Sequence, residues 1–286
     1  MRRESCVSIE SAIGGMCTDN MDSAVVLPFK DYERTVFELM DRLEVAPLLA
    51  EQGLILLKPN LVTSSPPPVT TDVGMVAAVA KWCREMTSAT IVVVEGSGEG
   101  ETHQNYRHLG YRKVPADDFI DLDREEIAEY AHPEAERFDR IWLPKLVTQG
   151  FLISIPVLKD HSTAGVTLSI KNMIGMLPAS RYSGYWSFKK SAVHDGDLDQ
   201  AIADLARYRA PDLALVDGRI GMKGSHLSGT PCTPQKRVLV GGRNPWAVDA
   251  RAAWILGWSW EQIGHLRATR PLFVDSAPTT CTEPGR

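Results

Sequence analysis

The chain reads as an α/β protein built on a mostly parallel sheet with helices on both faces, either as one body or as two lobes around a cleft. Three observations predict it. Short apolar runs recur along the sequence without polar alternation, each stops abruptly at polar or glycine-rich residues, and helical stretches with capping signals fill the intervals. Strands apolar at every position are covered on both faces, as buried parallel strands are. Strand alternating with helix implies a doubly wound sheet.

The elements follow in order. A strand around Ala24–Leu27 precedes an amphipathic helix at Tyr32–Leu43. The first clear buried run is Leu54–Asn60, and the second is Thr90–Gly96. Between them Asp72 can cap a helix through about Glu85, with Val73, Val76, Val79 and Ala80 on one stripe. Phe151–Lys159, Leu213–Gly218 and Arg237–Gly242 read as further strands, with a helix at Asp197–Tyr208. Asn244 and Pro245 suit the N-cap and first turn of a helix over Ala247–Leu256, and Gly257 suits its end. Gly98–Ile141 is polar and offers only a weak helix at Arg124–Tyr130. Pro178–Val193, with Tyr182, Tyr185 and Trp186, fits a lid or an interface. Residues 1–286 are expected to form a single domain, with a core over 22–274 and loose tails at 1–21 and 275–286.

Composition narrows the function. The 286 residues are 44% hydrophobic and 23% charged, as in a soluble globular protein large enough to bury a core without staples. A net charge of −5 argues against a nucleic-acid binder, which needs a basic face. Cys6, Cys17, Cys83, Cys232 and Cys281 are scattered and odd in number, with no Cys-x-x-Cys pair, so no iron–sulfur cluster or zinc ribbon is expected. They read as reduced thiols of a cytoplasmic protein. Glu4 and Ser5 interrupt the start of any signal peptide, and runs such as Leu54–Leu57 are too short to cross a bilayer. The expected partner is a small molecule, with no nucleic acid and no membrane; an oligomer is compatible with the sequence.

In an open parallel sheet the ligand binds at the carboxyl ends of the strands, where loops and helix N-termini converge. Five strand ends here carry Lys58-Pro-Asn60, Glu95-Gly96-Ser97, Lys159-Asp-His161, Asp217-Gly218 and Arg243-Asn-Pro245. Lys58 is a candidate cation for a carboxylate or phosphate, with Asn60 as orienting amide. Thr70 and Thr71 can cap the following helix or help bind an anion. In the segment Lys159–Asn172, His161 lies in a loop that leads into a helix near Thr167. Lys171 falls one turn into that helix and can point back to the loop. His161 is then a candidate acid or base and Lys171 a cation or nucleophile. Glu95, at the end of a valine run, is a candidate acid or base, and His103 lies just beyond. Asp217 can accept from ligand hydroxyls or start a turn. Asp249, between Val248 and Ala250, needs a partner because a buried carboxylate is costly alone. His194 completes the set. The chain has no Gly-x-Ser-x-Gly, His-Glu-x-x-His or Walker A pattern.

On these residues the chain resembles domain-of-unknown-function family 362. The matching stretches are Lys58–Val62 with Thr70–Asp72, Ile155–His161 through Lys171–Gly175, His194, Leu215–Gly218 with Gly221–Gly224, and Asn244–Asp249. Lys159, at the strand end that leads into His161, is a further candidate cation, and Asn172 lies in the matching stretch and joins the ligand-binding set. Many members of that family carry a cysteine-rich segment or an iron–sulfur association, so it also implies a non-catalytic redox or binding module. This chain lacks the cysteine-rich segment. His161-x-x-Ala-Gly165 followed by Lys171 further resembles the nickel-pincer lactate racemases, in which the matching histidine exchanges the substrate proton and the matching lysine tethers the cofactor. His103 lies where that likeness puts a second histidine. Val166–Ile170 replaces the racemases' glycine-rich run, so the nickel-pincer nucleotide is not expected. The expected function is an enzyme acting on a small anionic metabolite, as an isomerase, lyase or transferase, with Lys58, His161 and Lys171 catalytic. A pincer-type racemase or epimerase is the alternative.

Overall fold

The computed structural model describes residues 23–184 and 189–275. The tails expected to be loose lie outside the described residues, except for Asp275, and so do Tyr185 and Trp186.

Twelve strands and nine α-helices are described, with short 3-10 turns between them. The strands are β1 (Val25–Pro28), β2 (Leu54–Pro59), β3 (Thr90–Glu95), β4 (Asp118–Asp121), β5 (Ile127–Ala131), β6 (Arg140–Pro144), β7 (Phe151–Ile155), β8 (Val157–His161), β9 (Gly165–Val166), β10 (Leu213–Lys223), β11 (Thr230–Pro231) and β12 (Val238–Gly242). The helices are α1 (Tyr32–Arg42), α2 (Ala46–Leu49), α3 (Val73–Met86), α4 (Thr102–His108), α5 (Leu168–Asn172), α6 (Ala179–Tyr182), α7 (Leu198–Tyr208), α8 (Pro245–Ile255) and α9 (Gly264–Arg270).

Ten strands share one sheet, in the order β1-β12-β10-β7-β2-β3-β4, with β8 and β11 joined to the second half of β10 and β9 to β8. From β10 to β4 the neighbours are parallel. The apolar runs explain the layering. Ile55, Leu57, Ile91, Val93, Ile153 and Leu215 enter one core, under α1 and α3. Their neighbours Leu56, Val92, Val94, Leu152, Ala214 and Val216 enter the other, under α7 and α8. Each such residue contributes about 1.5–3 kcal/mol on burial, so both faces must be covered. Asp72 caps α3 and Asn244 caps α8 as expected, and Asp31 on α1 and Asp197 on α7 do the same.

Three expectations are corrected. The run Phe151–Lys159 is two strands, because Pro156 cannot donate to a ladder; β7 stays beside β2, while β8 leaves to pair with the second half of β10. Arg124–Tyr130 is not a helix. Ile127–Ala131 pairs antiparallel with Arg140–Pro144 in a separate hairpin, so tertiary pairing overrides a weak local preference. Finally, β12 runs antiparallel to β10, as β1 does to β12. Arg243-Asn-Pro245 therefore lies at the opposite edge of the sheet from the other four strand ends. Among the described residues no helix is long and apolar enough to cross a membrane.

Candidate functional site

The carboxyl ends of β2, β3 and β8 surround a cavity of about 390 Å³. That is within the range of small-molecule sites. Side chains alternate along a strand, so Lys159 and His161 face this cavity while Asp160 turns away. Asp160 accepts from Gly224 N at 2.8 Å and Trp258 Nε1 at 2.9 Å, which ties down the loop bearing His226.

His161 is set by its own loop. Its Nδ1 lies 3.2 Å from the backbone N–H groups of both Thr163 and Ala164. A nitrogen that accepts from N–H groups carries no proton, so the neutral ring holds its hydrogen on Nε2. Burial, reinforced by Lys171, His226, His194 and Lys159, keeps the ring well below the ordinary imidazole range. The His226 ring stacks on it with centroids 3.9 Å apart, and His194 lies parallel at 6.4 Å. Burial likewise lowers His226 to about 4, and lowers His194.

Lys171 stands in the last turn of α5. Asp249, at 0% exposure in α8, accepts from Ser169 N, Ser169 Oγ and Ile170 N at 2.8, 2.5 and 2.9 Å. These are first-turn donors that a helix leaves without intrahelical partners. Asp249 thus anchors the helix that positions Lys171, and burial raises its carboxyl to about 7. Burial lowers the amine of Lys171 to about 8 and that of Lys159 to about 7, the latter also repelled by Lys171. Lys159 Nζ donates to Val69 O at 2.5 Å and His226 O at 3.2 Å.

Two amides form one wall. Asn172 Nδ2 donates to Lys58 O at 3.1 Å and Ser154 Oγ at 3.1 Å, so its orientation is fixed. Asn172 Oδ1 then accepts from Asn60 Nδ2 at 3.3 Å. Thr167 Oγ1 and Asn60 Oδ1 are buried without a hydrogen-bond partner among the described residues.

Seven of the expected residues line the cavity: Asn60, Glu95, Lys159, His161, Lys171, Asn172 and His194. Six do not. Lys58 is fully buried and bound to both Glu95 oxygens at 2.8 and 2.9 Å, so it is no free cation for a ligand. Gly175 permits that pair, since a Cβ there would strike Glu95 Oε1 and lie 2.6 Å from Lys58 Nζ. Thr70 Oγ1 donates to Ser65 O, and Thr71 Oγ1 donates to Ile155 O while accepting from Asn60 N. Both hydroxyls hold loops. His103 sits on α4 with its ring 6.2 Å from that of Tyr106. Asp217 accepts from Tyr32 Oη at 2.8 Å and from Arg219 N, beside the Asp72–Arg219 ion pair. Asp249 acts through α5.

His226, Lys189, Lys190 and Thr167 line the cavity and were not anticipated. His226 follows the end of β10 at Lys223, and the pairing of β10 with β8 brings it to His161. Lys190 Nζ donates to Gly96 O and Gly175 O, closing one side. Its only sequence signal was the Lys189-Lys190 pair ending an aromatic segment.

Among the described residues no group of three or more His, Cys, Asp or Glu side chains could hold a metal ion. Parallel imidazoles direct their in-plane lone pairs side by side rather than toward one point, which does not suit a shared ion. Cys83 and Cys232 are buried, and burial pushes the Cys83 thiol up to about 12. The described residues therefore do not fit an iron–sulfur cluster or a nickel ion held by side chains alone.

Fold and cavity define an α/β protein with a lysine- and histidine-lined cavity at the carboxyl ends of its parallel strands. The chain belongs to the family described as Domain of unknown function (DUF362), which it matches over residues 55–254. It is also similar to a thylakoid-associated protein of Synechocystis sp., with 28% identity over 181 residues, 60% of this chain and 53% of that protein. The chain thus spans about half the length of that relative.

Proposed function

We propose that the cavity is the active site of an enzyme acting on a small carboxylate- or phosphate-bearing metabolite. One observation carries the reading. Lys159, Lys171 and three histidines line a single cavity, and the nearest buried carboxylate, Glu95, is already neutralised by Lys58. A basic cavity whose buried acid is engaged elsewhere, with Glu99 exposed at its rim, favours an anion. His161 supplies the proton chemistry: a neutral ring with Nε2–H donates to a ligand oxygen and can surrender that proton as negative charge develops there. Isomerisation, elimination and group transfer all use such a donor. A cytoplasmic location is part of this proposal and rests on the scattered cysteines.

The test begins with binding. Lactate, phosphate and sulfate should raise the thermal midpoint of the full chain, and the increase should vanish in Lys159→Ala. Once a turned-over anion is found, His161→Ala should lose roughly 10²–10⁴-fold in rate with unchanged circular dichroism. Full activity in both His161→Ala and Lys171→Ala would exclude the reading.

A further inference from the structure

Four lysines are buried along this edge of the sheet: Lys58, Lys159, Lys171 and Lys190. Three have oxygen acceptors. Lys58 is held by Glu95, Lys159 by Val69 O and His226 O, and Lys190 by Gly96 O and Gly175 O. Lys171 faces the same cavity at 8% exposure, and among the described residues no hydrogen bond or counter-charge supports its proton.

A buried ammonium without an acceptor is disfavoured, and a neighbouring cation disfavours it further. Lys159 and Lys171 repel each other, so the pair sheds one proton readily. Burial lowers both amines toward neutrality; carbonyl oxygens accept from Lys159, whereas no acceptor among the described residues engages Lys171, so Lys171 is the amine left free to meet a ligand. Desolvation beside a second cation is a recognised way to make a lysine nucleophilic near neutral pH.

We propose that Lys171 is a nucleophilic amine that captures a small 2-oxo carboxylate as an imine. The inference rests on the anion-site reading and names the substrate class for it. Lys159 uses two of its three N–H bonds on the protein. The third remains for the ligand carboxylate. The carbonyl oxygen then falls to the Nε2–H of His161. The unshared pair of Lys171 Nζ attacks the carbonyl carbon, a C–N bond forms, and the carbonyl π pair moves to oxygen to give a carbinolamine. Loss of that oxygen as water, with both hydrogens derived in net from the amine, leaves C=N. No oxidant or reductant is consumed. The imine draws electrons from the adjacent carbon, which suits proton exchange or bond cleavage there.

Borohydride trapping tests it on the full chain. Glyoxylate, pyruvate and 2-oxoglutarate serve as carbonyl probes and lactate as the non-carbonyl control. The expected result is one reduced adduct per chain with at least one probe, located on Lys171 by peptide mass spectrometry. It should be absent with lactate and absent in Lys171→Arg, which keeps the charge if Lys171→Ala fails to fold. Adducts on Lys159, or spread over exposed lysines, overturn the proposal. If no probe is trapped while lactate or sulfate still stabilises the protein through Lys159, the imine is wrong and the anion site stands. If neither trapping nor anion stabilisation occurs, both fall.

Discussion

The imidazole rings of His161 and His226 lie parallel, with centroids 3.9 Å apart and planes 10° from each other. Two imidazolium ions at this spacing would repel strongly, and burial lowers each ring further, so both rings are neutral near pH 7. His161 cannot be protonated at Nδ1 without evicting the Thr163 and Ala164 N–H groups. Its chemistry is confined to the Nε2–H donor.

That assignment is measurable. Long-range proton–nitrogen NMR should show His161 as the Nε2–H tautomer, with shifts that stay constant from about pH 5 to 9, where an ordinary histidine titrates. A titration near pH 6.5 that disappears in His161→Gln would refute it.

The Lys58–Glu95 pair should behave as a buried structural bridge. Removing one partner leaves an uncompensated charge, so Glu95→Gln should lose about 3–5 kcal/mol in urea unfolding. The double variant Lys58→Met/Glu95→Gln should recover a large part of that loss. Equal stability of wild type and Glu95→Gln would show that the pair is dispensable.

Asp249→Ala removes the acceptor of two first-turn N–H groups of α5 and of the Ser169 hydroxyl. The expected loss is roughly 2–4 kcal/mol, from unsatisfied buried donors and a lost cap. Anion stabilisation should weaken with it, because Lys171 rides on α5. A variant destabilised to this degree but with wild-type anion affinity would uncouple Asp249 from the site.

Stability should also depend on pH. Lys159 and Lys171 titrate at about 7 and about 8 when folded, against an ordinary 10.5. Between those values the unfolded chain binds more protons, so these lysines make stability rise with pH from about 7 to 10.5. Asp249 acts the other way at lower pH. Its folded value is about 7 against 3.8, so the folded chain binds more protons and stability falls as pH rises between them. Urea midpoints of Lys159→Met/Lys171→Met should show a clearly smaller alkaline rise, the remainder coming from Lys58 and Lys190, which burial also lowers. A rise as steep as that of the wild type would assign it to other groups.

Much of the fold was legible because strand burial and helix caps are local signals. Ile55 and Leu56 announce a two-sided strand, and Asp72, Asp197 and Asn244 announce helix starts, whatever lies elsewhere in the chain. Direction is not local. Nothing in Arg237–Gly242 says that it runs against its neighbour, so Arg243–Pro245 was assigned to the wrong edge of the sheet. The hairpin of Ile127–Ala131 with Arg140–Pro144 was hidden for the same reason.

Lys58 and Lys171 divide the site along the same line. By itself the sequence determined that both lie at strand or helix ends on one edge, because an apolar run followed by a basic residue has little choice of place. Tertiary structure alone decided that Lys58 meets Glu95, 37 residues away, while Lys171 meets no acceptor among the described residues. It likewise joined Asp249 to Ser169 across 80 residues and laid His226 on His161. Whether a buried charge is spent on the fold or left for a ligand depends on which distant residue arrives beside it, and pairing at that range leaves no mark in local sequence.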